Sequence, residues 1–342
     1  MGMRLEKNAK ISVVIALLLL TAQVTSASTN SAPIGRSSAP RASQASQVSN
    51  SARIVTDEVG RRVTIPADIR RIVTLAPNLT ETIYALGLAD RLAGDTDYCD
   101  TPAAAQMKPH VGNPQNPSLE AIVALRPDLV LATTSINFLH TADDLARLGI
   151  PVYTTDERTV RGLLDSISHI AQITNAPDQG AALVSQLDAR LQMIHAKLAD
   201  RPPMHILFLT WVDPLISIGQ NTFIADALRW AGGETVILAD QNWPRVSMEE
   251  VVRLQPDFIV VTGNHDESGS GQQQTSELSS RPVWKSLQAV QLGRVVTVGE
   301  EFVRPAPGLI DEIEQLARAL HPEVFATQEN LPLSARCESC AR

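Results

Sequence analysis

Short runs of β-branched and aliphatic residues alternate along most of the chain with stretches of helical periodicity. This alternation is typical of βαβ units that build a parallel sheet, so it predicts an α/β protein. The first half is predicted to contain strands at 71–75, 129–132 and 151–154 and helices at about 80–87, 118–125 and 142–148. The second half is predicted to contain strands at 205–210, 258–262 and 294–298 and helices at 223–230, 247–254 and 309–320.

An internal repeat links the two halves. Residues 119–131 align without gaps on residues 248–260, and the Glu, Val, Leu, Pro and Asp positions are identical. The repeat predicts two related α/β lobes. Between them, an amphipathic run from Pro177 to Ala199 predicts a helix of roughly 30 Å at 1.5 Å per residue. Two interpretations stay open for this helix, plain packing or a stiff link between the lobes.

The two ends of the chain differ from the middle. Arg4, Lys7 and Lys10 precede a short apolar run and small residues, which predicts a secretory signal peptide at 1–27, cleaved near Ala27. The apolar run holds about ten residues, whereas a membrane span needs about 20. The predicted divisions are a signal at 1–27, a disordered Ser/Ala-rich leader at 28–52, lobes at 53–175 and 201–325, a connecting helix at 176–200 and a flexible tail at 326–342.

Composition and charge limit the classes of protein to which this chain can belong. The 342 residues are 44% hydrophobic and 19% charged, with a formal net charge of −8, as expected of a globular protein. The length predicts two domains, each long enough to bury its own core. An acidic chain without a Lys/Arg cluster argues against nucleic acid as a partner. Three cysteines are too few for a disulfide scaffold.

The loops after the predicted strands are the candidate ligand site, because α/β proteins bind ligands at the carboxyl ends of their strands. Tyr98, Trp211 and Trp243 lie in these loops although aromatic residues make up only 4% of the chain. They predict a pocket for a large, flat, partly apolar ligand. The alternative is that each aromatic caps the core of its own lobe. The loops are Ala76–Asn78, Asp97–Asp100, Gly112–Pro117, Trp211–Pro214, Asn242–Pro244, Gly263–Gln274 and Glu300–Pro307.

Catalytic motifs are absent from the sequence: it has no Gly-x-Ser-x-Gly elbow, no phosphate-binding Gly-rich loop with Lys and no His-Glu-x-x-His. We therefore expect neither an enzyme nor a resident cofactor. His265 beside two acids is too little for a metal site, which needs three or four converging ligands. Cys337 and Cys340 have the spacing of a redox motif without the flanking strand and helix, so a redox protein stays an alternative of a different class.

Two glutamates occupy equivalent places in the repeat. Glu249 follows Ser247 at the start of one helix, and Glu120 follows Ser118 in the same way. These carboxylates either interact with the helix dipole or offer each lobe one exposed acid for a two-fold symmetric partner bearing arginines.

Several ordered motifs make the chain resemble the helical-backbone (class III) substrate-binding proteins of ABC importers, from about Ile54 to Phe325. The resemblance implies two Rossmann-like α/β lobes joined by a single long backbone helix, with a ligand cleft between the lobes. The motifs are Ile72–Glu81, Thr96–Asp100, Asn116–Glu120, Leu125–Leu131, Trp243–Glu249 and Phe302 with Arg304 near Pro307.

The resemblance also implies roles for individual residues. Glu120 and Glu249 match the two glutamates with which members dock onto the permease. Members that bind corrinoids carry an aromatic residue shortly before the first of these glutamates, and Gly112–Pro117 has none. The positions that match the lining of the corrinoid pocket, or lie near it, are Pro77, Tyr98, Trp211, Trp243, Glu300 and Arg304.

The implied function is a monomeric periplasmic protein that binds a corrinoid and delivers it to the permease-ATPase complex, touching the membrane only through that complex. An iron-siderophore or haem carrier of the same fold is the alternative. A catecholate ferric siderophore calls for several cations, and the predicted loops contain chiefly Arg304 with Arg245. The sequence therefore favours a corrinoid.

Overall fold

Two mainly parallel sheets, connected through one long helix, organise the structure, which is a computed structural model. It describes residues 52–263 and 282–325. These residues belong to one compact unit, so the two sheets have a defined position relative to each other. The mixed α/β architecture predicted from the alternating pattern is confirmed.

The strands of the described residues are β1 (Arg53–Thr56), β2 (Arg62–Ile65), β3 (Ile72–Thr74), β4 (Leu92–Gly94), β5 (Gly112–Asn113), β6 (Asn116–Pro117), β7 (Leu129–Thr133), β8 (Val152–Thr155), β9 (Met204–Val212), β10 (Leu215–Ser217), β11 (Gly233–Thr235), β12 (Phe258–Thr262) and β13 (Val295–Val298).

The α-helices are α1 (Pro77–Ala85), α2 (Leu119–Ala124), α3 (Leu139–Arg147), α4 (Val160–Ile173), α5 (Pro177–Leu198), α6 (Phe223–Trp230), α7 (Met248–Leu254), α8 (Gln288–Gln291), α9 (Leu309–Leu320) and α10 (Pro322–Phe325). Short 3-10 helices cover Ala89–Arg91, Ala103–Met107, Trp284–Ser286 and Glu300–Val303.

The first sheet has the strand order β4-β3-β7-β8 and is parallel throughout. The second has the order β10-β9-β12-β13, with β11 also paired to β9, and β10 is its antiparallel strand. The first lobe is the part of the chain around the first sheet, and the second lobe is the part around the second. The chain passes from one to the other through α5.

The sequence repeat is also a repeat of backbone geometry. Arg126 and Gln255, at equivalent positions after α2 and α7, both have left-handed backbone angles, with φ of 46° and 44°. The carboxylate two residues further on then accepts a backbone N–H at the start of the neighbouring strand. Asp128 Oδ2 accepts from Arg71 N at 2.8 Å, and Asp257 Oδ2 accepts from His205 N at 2.9 Å. The shared Pro-Asp pair therefore sets where each helix ends and how its following strand joins the sheet.

One apolar core extends through both lobes. It includes Leu131 of the first sheet, Leu191 and Ile194 of α5, and Phe208 of the second sheet. Side chains alternate across a strand, so Val130 and Val260, for example, face different clusters from their chain neighbours. Smaller cores cover the opposite face of each sheet. The long helix is therefore both a link and part of the packed interior.

Close packing against α4 places α5. Gly180 lies where an added Cβ would stand 2.3 Å from Ala171 Cβ, so the two helices approach at a point that tolerates no side chain. Arg190 on α5 bonds Asp311 at 2.6 Å and Glu314 at 2.9 Å on α9. The helix is thus tied to an element of each lobe.

Most predicted elements are present within a few residues of their expected bounds, and the helices at 223–230 and 309–320 match. The first helix begins at Pro77, three residues before the expected start, because proline is well suited to a first helical position. Sequence reasoning missed α4 and the hairpin of β1 and β2. The predicted signal, the leader up to residue 51 and the tail at 326–342 lie outside the described residues, and the domain bounds stay predictions.

Candidate functional site

A cavity of about 330 Å³ lies between the two lobes at the carboxyl ends of their strands. One wall follows β7 and β8, and the other comes from the start of α6, from the Trp243 loop and from the segment around Val303. This position is the ligand site expected of parallel sheets. Its lining residues are Thr134, Ser135, Asp156, Glu157, Arg158, Asn221, Thr222, Phe223, Ile224, Asn242, Trp243, Val303 and Pro305.

The three aromatic residues predicted to face a ligand are exposed. Tyr98, Trp211 and Trp243 have relative exposures of 57%, 62% and 54%. They therefore do not cap the cores of their lobes, which was the alternative interpretation. Trp243 lines the cavity, whereas Tyr98 and Trp211 lie outside its lining. Exposed aromatic faces are costly in water and are typical of surfaces that receive a ligand.

Local hydrogen bonds orient two of these aromatics. Trp211 Nε1 donates to the carbonyl oxygen of Asp213 at 3.0 Å, within its own hairpin. In the first lobe, Asn113 Nδ2 donates to the Tyr98 hydroxyl at 3.5 Å. Ile216 is paired both with Trp211 across the hairpin and with Arg245, two residues after Trp243. Trp211 thus lies near the end of β9 and not in the predicted loop, and it is a neighbour of the Trp243 loop on the second lobe.

Arg304 joins the lobes electrostatically. It follows the 3-10 helix Glu300–Val303, and its Nη2 donates to Glu300 Oε2 at 2.9 Å. Its Nη1 reaches across to the first lobe, 3.4 Å from Asp100 Oδ1 and 3.6 Å from Glu81 Oε1. The guanidinium is largely buried, with 18% of the side chain exposed. One cation therefore faces three carboxylates from both lobes, which we call the Arg304 cluster (Glu81, Asp100, Glu300 and Arg304).

Glu81 is the most buried member of the Arg304 cluster. It lies one helical turn after Pro77 on α1, and the residue is 8% exposed. Burial raises the pKa of its carboxyl to about 7, and Arg304 opposes that rise. Glu81 Oε1 has no hydrogen-bond partner within the described part of the chain. Nearby, Asn78 Nδ2 donates to Pro305 O at 3.5 Å and provides a second link between the lobes.

A second buried acid lies on the first-lobe wall of the cavity. Glu157 is 7% exposed and accepts a hydrogen bond from Thr133 Oγ1 at 2.9 Å. Burial raises the pKa of Glu157 to about 7, and the nearby Glu58 adds to the rise. Beside it, Arg158 pairs with Asp156 at 2.7 Å. The cation of this wall is therefore already paired with a carboxylate.

Asn137 holds the loops of the first lobe together. Its Nδ2 donates to Leu75 O and to Pro114 O, both at 2.8 Å, and its Oδ1 accepts from Thr133 N at 2.8 Å. The residue is buried, and these three contacts join the ends of β3 and β7 to the hairpin of β5 and β6. That hairpin is the Gly112–Pro117 loop, which lacks the aromatic residue expected from corrinoid-binding relatives.

Glu120 and Glu249 occupy equivalent, exposed places on the two lobes. Each is the second residue of a short helix, α2 or α7. Ser118 Oγ accepts from Ala121 N at 3.2 Å in one lobe, and Ser247 Oγ accepts from Glu250 N at 3.1 Å in the other. Both serines therefore cap the N-termini of their helices. They leave each glutamate at a helix N-terminus with its side chain in solvent.

The structure thus brings Glu300 and Arg304 together and places Trp243 on the cavity wall, while Pro77 is buried at the start of α1 next to Asn78. Sequence reasoning missed the roles of Glu81, Asp100, Asn137 and Glu157. For Glu81 a signal existed, since it lies four residues after Pro77 on the same helix face.

Metal-binding groups, membrane-spanning helices and cysteines were considered within the residues that the structure describes. Residues 52–263 and 282–325 contain no group of three or more His, Cys, Asp or Glu side chains that could hold a metal ion. In the same ranges no helix is both long and apolar enough to span a bilayer. Cys99 is buried beside Thr80 and Thr96, and burial raises the pKa of its thiol. His265, Cys337 and Cys340 lie outside the described residues.

Comparisons with known proteins agree with this architecture. The vitamin B12-binding protein of Yersinia pestis (strain Pestoides F) is 30% identical over 262 residues, 75% of this chain and 89% of that protein. The crystal structure of the periplasmic vitamin B12-binding protein BtuF of Vibrio cholerae is 26% identical, with a TM-score of 0.67 over 75% of this chain and 99% of that one. The periplasmic heme-binding protein BhuT, solved with two hemes, is 27% identical, with a TM-score of 0.66 over 74% of this chain and 98% of that one.

The sequence model of one family, described as periplasmic binding protein, matches residues 72–302. This stretch contains both sheets, the long helix that connects them and most of the Arg304 cluster. The chain therefore belongs to the periplasmic binding protein family.

Proposed function

We propose that this protein is the substrate-binding component of an ABC importer, that it captures a corrinoid of the vitamin B12 type between its lobes and that it delivers this ligand to the permease. The observation that carries the proposal is the set of exposed aromatics, Tyr98 on the first lobe and Trp211 and Trp243 on the second. A corrin macrocycle is large, flat and partly apolar, and aromatic faces from two lobes suit it.

The resemblance to vitamin B12-binding proteins supports the same ligand, since the 30% identity extends over most of that relative. A haem carrier is the second candidate, because the heme-binding relative is 27% identical. Haem carries two propionates and calls for unpaired cations. The guanidinium of Arg304 faces three carboxylates and that of Arg158 is paired with Asp156. The exposed Arg245, beside Trp243, is one cation for two propionates, which favours the corrinoid.

Ligand identity is tested by isothermal titration calorimetry of the exported, processed protein with cyanocobalamin, haemin and a ferric catecholate siderophore. We expect saturable binding of cyanocobalamin alone. Trp211→Ala and Trp243→Ala should each weaken it about tenfold, the cost of roughly 1–1.5 kcal/mol of lost aromatic contact. Leu148→Ala, at an exposed apolar position at the end of α3, is the matched control and should change nothing. Absence of heat with cyanocobalamin would refute the proposed ligand.

For delivery, we propose that Glu120 and Glu249 dock onto arginines of the permease. The hairpin that precedes α2 is tied by Asn137 to the carboxyl ends of β3 and β7, and α7 follows the Trp243 loop of the cavity wall, so each N-terminus lies on the cleft side of its lobe. One exposed carboxylate at an equivalent position of each lobe suits a two-fold symmetric partner.

The docking test combines binding with uptake of labelled cyanocobalamin by cells that contain the permease. The double variant Glu120→Ala with Glu249→Ala should keep ligand affinity and lose uptake. The control removes one exposed acid from each lobe at the amino ends of the strands, Asp68→Ala with Glu234→Ala, and should transport normally. Normal uptake by the first double variant would refute the docking role and leave the two glutamates with only their interaction with the helix dipole.

We also propose that residues 1–27 direct export and are removed near Ala27, leaving a monomer in the periplasm. Mass spectrometry of the secreted protein and light scattering of the purified protein test these two points. No catalytic step is proposed, since the named relatives are binding proteins. The redox alternative predicts that Cys337→Ser with Cys340→Ser abolishes function, whereas a corrinoid carrier should tolerate that change.

A further inference from the structure

One hydrogen bond crosses from the second lobe to the first beside the cavity. Asp226, in the first turn of α6, accepts on its Oδ2 atom a hydrogen bond from the backbone N–H of Val160 at 2.8 Å. Val160 is the first residue of α4, so a carboxylate of one lobe caps a helix of the other. The positive end of this 14-residue helix favours a negative charge at that place.

The two partners of this bond adjoin the two walls of the cavity. The start of α6 up to Ile224 lines the second-lobe wall, and Asp226 follows two residues later. Arg158 ends the segment that lines the first-lobe wall, and Val160 follows two residues later. Asp226 and Val160 themselves lie outside the lining. The bond therefore sets the distance between two wall segments without contacting what lies between them.

The Val160 amide depends on Asp226 for its hydrogen bond. Val160 is fully buried, and the Asp226 side chain is 18% exposed. The cap that α4 has within its own lobe serves another amide, because Thr159 Oγ1 accepts from Gly162 N at 2.9 Å. A buried N–H without an acceptor costs free energy. Without the Asp226 carboxylate, separation of the lobes becomes less costly, because it lets water reach this amide.

Neighbouring contacts hold the junction of α4 and α6 as well. Arg161, the second residue of α4, lies over the Trp230 ring of α6 at 5.4 Å and pairs with Asp188 of α5 at 2.5 Å. The polar contacts that Asn78 and Arg304 make between the lobes are longer, at 3.4, 3.5 and 3.6 Å. Strong N–H···O bonds measure about 2.7–3.2 Å. The lobes are therefore held more firmly at the junction of α4 and α6 than at Arg304.

We infer that Asp226 is a positioning residue for ligand capture. By capping α4 across the boundary between the lobes, it holds the two cavity walls at the spacing at which a ligand is retained, and the lobes separate more readily when it is lost. The inference rests on the proposed capture of a ligand between the lobes, and it adds the residue that keeps the walls together.

The test compares two variants that each remove one cap from the same end of α4. Asp226→Ala removes the cap that crosses between the lobes, and Thr159→Ala, the matched control, removes the cap within the first lobe. The dissociation rate of cyanocobalamin from the processed protein is measured by stopped-flow spectroscopy. Asp226→Ala should release the ligand about tenfold faster, the size expected for one lost charge-assisted hydrogen bond. Thr159→Ala should release it at the wild-type rate.

Two further variants assign the effect to the bond itself. Asp226→Asn keeps an oxygen that can accept from Val160 N, so its dissociation rate should lie closer to the wild-type rate than that of Asp226→Ala. Val160→Pro removes the donor instead of the acceptor, at a first helical position that suits proline. It should act in the same direction as Asp226→Ala, which keeps the test valid if one of the two variants folds poorly.

A second measurement needs no ligand. Spin labels at Glu120→Cys and Glu249→Cys, one on each lobe, report the distance across the cleft by double electron–electron resonance. Cys337 and Cys340 are replaced by serine, and Cys99 is buried. Asp226→Ala should add a population at longer distance, whereas Thr159→Ala should leave the distribution as it is in the wild type.

The outcomes separate the inference from the proposed function. If cyanocobalamin does not bind, the proposed ligand fails, and the distance distribution decides the inference. If Asp226→Ala changes neither the distance distribution nor the dissociation rate, the inference alone is wrong. Equal effects of Asp226→Ala and Thr159→Ala would also overturn it, because the effect would then come from the stability of α4 and not from the bond between the lobes.

Discussion

Replacing the buried acid Glu157 by glutamine should raise the free energy of unfolding at neutral and basic pH and leave it unchanged at acidic pH. Glu157 is 7% exposed, and its hydrogen bond from Thr133 Oγ1 at 2.9 Å ends on an oxygen that glutamine can reproduce. Burial raises the pKa of the folded-state carboxyl from 4.5 to about 7. The folded protein therefore holds this proton more tightly than the unfolded chain does.

The sign and size of the effect follow from that difference. Below pH 4.5 the carboxyl is protonated in both states, and it costs nothing. Between pH 4.5 and 7 the unfolded chain ionises first, so the free energy of unfolding falls as the pH rises. Above pH 7 the full cost is present. The difference between 4.5 and about 7, at 1.36 kcal/mol per pH unit, corresponds to about 3 kcal/mol.

The assay is urea unfolding followed by far-UV circular dichroism at pH 4.5, 6 and 8. Glu157→Gln should match the wild type at pH 4.5 and exceed it by up to about 3 kcal/mol at pH 8, a rise in Tm of about 6 °C for a chain of this length. Glu81 and Asp95, whose pKa values burial raises to about 7 and about 6, act equally in both proteins and cancel. The exposed Glu234→Gln is the control and should show no pH-dependent gain.

A result at pH 8 in which Glu157→Gln is no more stable than the wild type would refute the reasoning. It would mean that hydrogen bonds hold Glu157 as a stabilised anion despite its burial.

Three further changes have expected outcomes in the same unfolding assay. Asn137→Ala should cost about 2–3 kcal/mol, because it removes three hydrogen bonds of a buried amide and leaves backbone groups unpaired. Arg304→Met should cost about 2 kcal/mol at pH 8 and less at pH 5, because the buried Glu81 then loses its cation and escapes the cost only by taking up a proton. Gly180→Ala should cost about 1–3 kcal/mol despite the better helix propensity of alanine, since its Cβ would meet Ala171 Cβ at 2.3 Å.

The last two of these changes have a control on the same element or of the same type. Ser185→Ala, at an exposed position of α5, gains helix propensity without a clash and should not destabilise. Arg245→Met removes an exposed arginine and should show no pH dependence. An Arg304→Met cost that is equal at pH 5 and pH 8 would contradict the role given to Glu81. A Gly180→Ala variant as stable as Ser185→Ala would contradict the close helix approach.

The Trp residues show why exposure could not be read from the sequence. Trp211 and Trp284 are both tryptophans beside turn-forming segments, yet the first is 62% exposed and the second is buried in a core. The sequence predicted that Trp211 and Trp243 both lie in loops, but Trp211 lies near the end of β9. The pairing of Ile216 with Trp211 and with Arg245 brings the end of β9 next to the Trp243 loop. Ile216 and Arg245 are far apart in the sequence, and no repeating pattern of hydrophobic residues predicts that they pair.

Local chemistry allowed the sequence to determine a good deal of this protein. Strands, most helices, the serine caps before Glu120 and Glu249, and the repeated Pro-Asp turns all depend on residues within a few positions of one another, so their signals are complete in a short window. The long helix α5 and the duplication of the two lobes follow from the same kind of pattern.

The tertiary structure alone decided the contacts between distant segments. Arg304 meets Glu81 and Asp100 across the lobes, Asn137 joins three loops, and one apolar core runs from the first sheet through α5 to the second. Such contacts depend on how whole lobes pack, because packing decides which side chains are buried, which groups they contact and how much free energy their burial costs. The same physical reason explains the buried acids: an isolated glutamate has an ordinary pKa, and only its position in the folded chain raises it.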